Sequence, residues 1–469
     1  MNVSIKSSLD PRAHWAKLFS AQRLGSHKKA PAEDSARSSF HKDYDRLVFS
    51  HSFRQLNQKT QVHPLTNQLG IHTRLTHSLE VSCIGRSLGV MAAEKLHDKL
   101  KGGLPTNISP ADVGVIMQAA CLAHDIGNPP FGHAGEYAIR DWFMHPERQT
   151  ILQSLNGNEQ LDLLAYEGNA QGFRILTRNE HHPDAGGMRL TCATLGAFMK
   201  YPWLATHSNA TYQGNPTTHM QKFGCFYSEM AQLEQLAETL SLPYSKQHDG
   251  FSRHPLAYLL EAADDICYAL IDLEDGINLN MLTYIEVAAI FYELIGERPS
   301  SISLPTQVSV RQQLASLRAR AMMRLVNAVT DAFVANSDAL LTGTLQGSLF
   351  THCDITIQSG IGQAKQLARE KIFNHPSKVR MELMANQCLH QLLDAFMPLT
   401  WVDQHSTSLS FEQQRLLRLL QPHLEEHRRN LSDDIYQNML NVLDFITGMN
   451  DHEAYRLAQE LQGHWGTVV

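Results

Sequence analysis

Apolar residues along this chain recur mostly at three- and four-residue intervals, and the alternation expected of strands is scarce. Leu256, Leu260, Ala263, Cys267, Leu270 and Ile271 mark one stripe, predicting a helix from about 256 to 275 that Gly276 ends. Ser109-Pro110-Ala111-Asp112 reads as a helix start: Ser as cap, Pro first, an acid third. That helix is predicted to run through VGVIMQAACLAHD and stop near Gly127, before Pro129-Pro130. Leu314, Leu317, Met322, Leu325 and Val329 open a further helical half, with amphipathic stretches at 378–397, 411–426 and 433–447. Residues 22–42 read as a flexible arm or loop, and 204–225 and 297–309 as loops. No repeat or low-complexity tract is present. The expected architecture is all-α: an N-terminal arm (1–44), a core (45–290), and a C-terminal helical region (291–469) packed on it.

Composition narrows the class. The 469 residues are 43% hydrophobic and 19% charged, enough apolar material for a large core. A net charge of −7 argues against a generally basic nucleic-acid binder. No apolar run reaches the roughly 18 residues of a membrane span. MNVSIKSSLDPR has no apolar signal core, and the seven cysteines form no CxxC pair. A cytoplasmic location with reduced thiols is expected. The unusual number is 25 histidines, imidazole being both a metal ligand and a proton carrier near neutral pH.

Three segments concentrate the chemistry. Ala123-His124-Asp125-Ile126-Gly127 sets an imidazole and a carboxylate about 100° apart at a helix end. By itself this is more often a capped terminus with a solvated acid. Upstream, TRLTHSLE places His77 in the first turn of a helix. Downstream, Glu261-Ala262-Ala263-Asp264-Asp265 lies mid-helix. Winding at about 100° per residue sets Asp264 at the edge of the apolar stripe and Asp265 on the far side. A carboxylate beside a buried face is costly unless it is paired or bound to a cation. Asp264 is therefore the candidate ligand, its bland alternative being a salt bridge to Arg, and Asp265 is expected to be solvated. Two imidazoles and two carboxylates in the order His, His-Asp, Asp suit a divalent ion with open positions for water and substrate, which points to hydrolysis.

This ordered set resembles the signature of the HD-domain metal-dependent phosphohydrolases. The local match is to the bacterial dGTPase and dGTPase-like deoxynucleoside triphosphate triphosphohydrolases. It is carried by Asp43-Tyr44-Asp45-Arg46, SFRQLNQKTQV (52–62), HTRLTHSLEV (72–81), AHDIGNPPFGHAGE (123–136), MRLTCATLGAFMKYPW (188–203) and EAADDICYALIDLEDG (261–276). These stretches follow the family order over the N-terminal 60% of the chain, and the family fold is all-helical.

The resemblance implies roles. His77, His124, Asp125 and Asp264 would bind the metal, Mg or Mn first, with Fe, Co or Ni as alternatives. His133 and Glu136 would be the catalytic acid–base pair. Tyr268 and Asp272 would line the sugar pocket, and Gln61 would face the deoxyribose. Arg74, Lys200 and Lys222, with Tyr201 close by, would meet the triphosphate, whose four charges need several local cations on an acidic chain. Phe223, Phe226 and Tyr227 are base-stacking candidates, with core packing the better reading for at least two. The implied reaction is hydrolysis of a dNTP to deoxynucleoside and tripolyphosphate. The family usually forms tetramers or hexamers, and a nucleotide or single-stranded DNA effector is a further expectation. Two alternatives stay open: a nucleotide or single-stranded nucleic-acid sensor without turnover, and another HD phosphohydrolase. Against the latter, no Gly-Tyr-Pro triplet occurs, and Asn128-Pro129 stands where other branches carry Lys or an acidic pair.

Overall fold

The computed structural model describes residues 10–25, 37–61, 72–179, 187–205, 222–247, 249–297, 309–401, 409–423 and 433–464. Local capping chemistry sets most of the helix starts that matter here. Thr73 and Thr76 form a reciprocal capping box, as do Ser109 and Asp112. The helices named below, numbered in chain order, are α1 (Pro11–Leu18), α2 (Ser39–Phe49), α3 (Arg74–Lys99), α4 (Pro110–Ala123), α5 (His133–Met144), α6 (Gly168–Arg174), α7 (Cys192–Phe198), α8 (Pro255–Asn278), α9 (Val310–Ala335), α10 (Ile355–Leu367), α11 (Pro376–Phe396), α12 (Ile435–Gly448) and α13 (Asp451–Leu461). Among the described residues the only sheet is a two-residue antiparallel pairing of Tyr244 with Phe251 and Ser245 with Gly250. The all-α expectation holds.

The centre is the α3–α4 hairpin, with α2 and α7 against α4 and α8 against α3. Gly89 allows the close approach of the pair: a Cβ there would lie 2.9 Å from the Val113 carbonyl oxygen. The predicted helix starting at 110 ends at Ala123, so His124 and Asp125 lie just past it. The helix predicted from 256 spans Pro255–Asn278.

Two apolar cores form, and they divide the chain differently from the expected boundary at 290. One joins α1–α4, α7 and α8 to α9, α10 and Ile372. The other joins Phe131, α5 and residues up to Phe226 to α11, α12 and α13. The C-terminal half therefore contributes to both cores. The expected arm is also partly built into the fold: Trp15, Leu18, Phe19 and Leu24 are buried in the first core, and α2 begins at Ser39. The remainder of that arm, and most of the two predicted loops, lie outside the described residues. No described helix is long and apolar enough to cross a membrane. All seven cysteines are free.

Candidate active site

The capped start of α3 places Arg74 and His77 on its first turn, facing the end of α4. His124 follows α4 directly. Its Nδ1 lies 2.7 Å from the Cys121 carbonyl oxygen, so Nδ1–H donates there and Nε2 keeps its lone pair. That Nε2 is buried and has no hydrogen-bond partner among the described residues. One ligand atom each from His77, His124 and Asp125 falls within 4.8 Å of the other two. Asp264 Oδ1, from α8, is 3.2 Å from His77 Nε2 and 3.6 Å from His124 Nε2. A lone-pair nitrogen stranded among carboxylates fits a divalent cation, and the N/O donor set suits Mg, Mn or a first-row transition metal.

Cations already hold both carboxylates. Arg74 Nη1 donates to Asp125 Oδ2 at 2.8 Å, and Lys200 Nζ donates to Asp264 Oδ2 at 2.7 Å. Burial opposes ionisation of each acid. Arg74 beside Asp125, and Lys200 beside Asp264, together with the two imidazoles, outweigh it and hold both carboxyls well below the usual range. The salt bridge that is the bland alternative for Asp264 is thus present, with Lys200 rather than Arg. Asp265 is not solvated as expected: it pairs with Lys365 at 2.9 Å, because α10 packs across that side of α8.

A few residues beyond Asp125 the chain turns sharply. Phe131 and Gly132 take φ of 65° and 60°, and α5 begins at His133. Glycine suits 132 because φ 60° with ψ −129° is a conformation that side chains rarely adopt, and a Cβ there would also displace the Arg74 guanidinium, whose Nη2 would lie 2.4 Å away. His133 Nδ1 meets Glu136 Oε2 at 2.7 Å, and Glu136 Oε1 accepts from Gly168 N at 2.8 Å. Glu136 is buried, whereas the His133 side chain is 66% exposed. Burial raises the Glu136 carboxyl, but His133, Arg140 and Lys222 override this and hold it low. A fixed carboxylate orienting an accessible imidazole is the geometry of a proton-transfer pair.

His77, His124, Asp125 and Asp264, with His133 and Glu136, line one cavity of about 320 Å³. Of the expected substrate contacts, Gln61, Arg74, Lys200, Lys222 and Tyr268 line the same cavity. Gln61 Oε1 is buried without a partner among the described residues, and the Tyr268 ring stacks on Phe373 at 5.5 Å and 22°. Two expectations fit less well. Tyr201 is not in the lining; its ring packs edge-on to Trp203 and under the Arg253 guanidinium. Asp272 is also outside the lining, being fully buried with both carboxylate oxygens unpartnered among the described residues. Burial, reinforced by Asp275 and Asp264 and opposed by His77, pushes its carboxyl up to about 7. Phe223 and Phe226 are buried in the second core. Sequence reasoning missed Thr60, Phe373, Lys378 and Glu382 in the cavity wall. Lys378 and Glu382 stand one helical turn apart on α11, a spacing too common to single them out.

Across these elements, an all-helical fold carrying an H…HD…D cluster defines the class of HD-domain phosphohydrolases. The HD domain family matches residues 74–170. A deoxyguanosinetriphosphate triphosphohydrolase-like protein of Pseudomonas aeruginosa is 45% identical over 96% of this chain and 98% of its own length. One from Synechocystis is 39% identical over 96% and 99%. A deoxyguanosinetriphosphate triphosphohydrolase of Klebsiella pneumoniae is 30% identical over 85% and 84%. The chain belongs to the deoxyguanosinetriphosphate triphosphohydrolase-like family.

Proposed function

We propose that this protein hydrolyses 2′-deoxynucleoside 5′-triphosphates, dGTP among them, to the deoxynucleoside and inorganic tripolyphosphate. The observation that carries the reading is the opening of the metal-type cluster and the His133–Glu136 pair into one cavity. A divalent ion held by His77, His124, Asp125 and Asp264 would supply an activated water and a Lewis acid for a phosphoryl oxygen. Arg74, Lys200, Lys222 and Lys378 bring positive charge to the same wall, which suits a polyphosphate. Glu136 fixes His133 through Nδ1, leaving Nε2 to donate a proton to the departing 5′-oxygen as its bond to phosphorus breaks. The reading includes a homo-oligomer, tetramer or hexamer, in the cytoplasm, with Mg or Mn as the first metals to try.

Phosphorus NMR of a reaction with dGTP and metal-loaded protein tests it. Tripolyphosphate should appear with deoxyguanosine as the first products. Orthophosphate with dGDP would overturn cleavage at the α-phosphorus, and binding without any product would favour the sensor.

A second expectation concerns the sugar. Tyr268 follows Asp264 by one turn of α8, and its stacking on Phe373 leaves its ring little room to retreat. A ribonucleotide must fit its 2′-hydroxyl against that ring. A site that excludes or strands one hydroxyl can discriminate by about 10²-fold or more. kcat/KM for dGTP should exceed that for GTP by at least that margin, and comparable values would refute the role of Tyr268.

A further inference from the structure

The junction of the last two helices reaches the back of the active site. Asp451 is fully buried at the first position of α13, yet it does not cap that helix. Asn450 and Glu453 form the capping box, which frees the Asp451 carboxylate. Its Oδ1 accepts from Phe131 N at 2.8 Å. Its Oδ2 accepts from Thr60 N at 3.1 Å and Thr60 Oγ1 at 2.6 Å. Each end of this bridge leads to the site. Thr60 pairs as an isolated bridge with Thr73, the cap of α3, and Arg74 N donates to the Lys59 carbonyl at 2.9 Å. Phe131 lies two residues before His133, in the left-handed conformation that a side chain rarely holds unaided. A parallel tie runs beside it: Lys59 Nζ donates to the carbonyls of Asn128 at 2.8 Å and Thr447 at 2.6 Å.

We infer that Asp451 is a positioning residue: one buried carboxylate fixes the turn carrying His133 relative to the helix start carrying His77 and Arg74. This rests on the reading of His133 as the proton donor. An ionised carboxylate can accept all three bonds. An isosteric asparagine must aim its amide NH2 at the N–H of either Phe131 or Thr60, so one side of the bridge opens. Misplacing a catalytic group by about 1 Å can cost about 10²-fold in rate.

The test uses full-length, metal-loaded protein with dGTP, comparing Asp451→Asn, His133→Ala and the double variant. Metal content and melting temperature are measured for each. The expected result is a kcat loss of about 10- to 10²-fold in Asp451→Asn with little change in KM. In the His133→Ala background the same change should add almost nothing, because the misplaced group is already gone. Should Asp451→Asn fail to fold, Asp451→Ser replaces it, since its single hydroxyl cannot span both loops and leaves room for a water. If His133→Ala is defective and the two losses multiply, Asp451 acts on something other than His133 and the inference is overturned. Near wild-type turnover in folded, metal-loaded His133→Ala would instead overturn the proton-donor reading, and this inference with it.

Discussion

Replacing any one of His77, His124, Asp125 or Asp264 by alanine is expected to empty the metal site and abolish turnover. The donor atoms converge, and three of them are oriented by a neighbour: His124 by the Cys121 carbonyl, Asp125 by Arg74 and Asn128, Asp264 by Lys200. Losing such an orienting partner alone typically costs about 10–100-fold in metal affinity, so losing a ligand should cost at least about 10²-fold. The sharper comparison is the adjacent residue. Asp265→Ala removes only a partly exposed pair with Lys365, worth at most about 1 kcal/mol. It should keep both its metal and its turnover. Elemental analysis of the purified variants decides the matter: metal lost from Asp265→Ala but retained in Asp264→Ala would reverse the assignment.

The largest effect on stability is expected at Arg174, which takes no part in the proposed chemistry but is wholly buried. Its guanidinium donates to Glu229 Oε1 at 2.7 Å and to Asp444 through Nε at 3.0 Å and Nη2 at 2.8 Å. Those three residues belong to α6, the turn before residue 230 and α12. Arg174→Met keeps apolar bulk but leaves the Glu229 carboxylate, itself fully buried, short of its main counter-charge. Breaking a buried pair from one side typically costs about 3–5 kcal/mol. The variant should unfold at a much lower denaturant concentration, and replacing Glu229 and Asp444 with apolar residues as well should recover part of the loss. A denaturation midpoint unchanged from wild type would show that the network carries no net stability.

Much of this site can be read locally. The helix starts follow from Thr73, Ser109 and their partners three residues on, since capping is a contact within one turn. The His-x-x-Glu spacing likewise brings His133 and Glu136 together on a single turn. Winding of α8 turns Asp264 toward the two imidazoles, but it cannot reveal α10 lying over Asp265. Azimuth describes a helix and not the layer outside it. The same limit hides Phe373 and Glu382, which reach the cavity from more than a hundred residues beyond Asp264. Tyr201 follows Lys200 in sequence, but adjacent side chains diverge and its ring meets Arg253 instead. Asp272 keeps the α8 spacing but faces the interior.

The contact between Thr60 and Asp451 spans 391 positions of the chain. During synthesis at roughly 5–20 residues per second, that separation is about 20–80 s of translation. Until Asp451 is made the turn at Phe131 has no carboxylate to hold it, although His77, His124, Asp125 and Asp264 all precede it in the chain. On the proposed reading, a nascent or prematurely terminated chain would thus assemble its metal-type cluster before His133 is in register. Such a product would titrate metal while turning nucleotide over slowly, and it would be recognisable in a ribosome-stalled series as a metal-binding step that precedes full turnover by the length of the last helix.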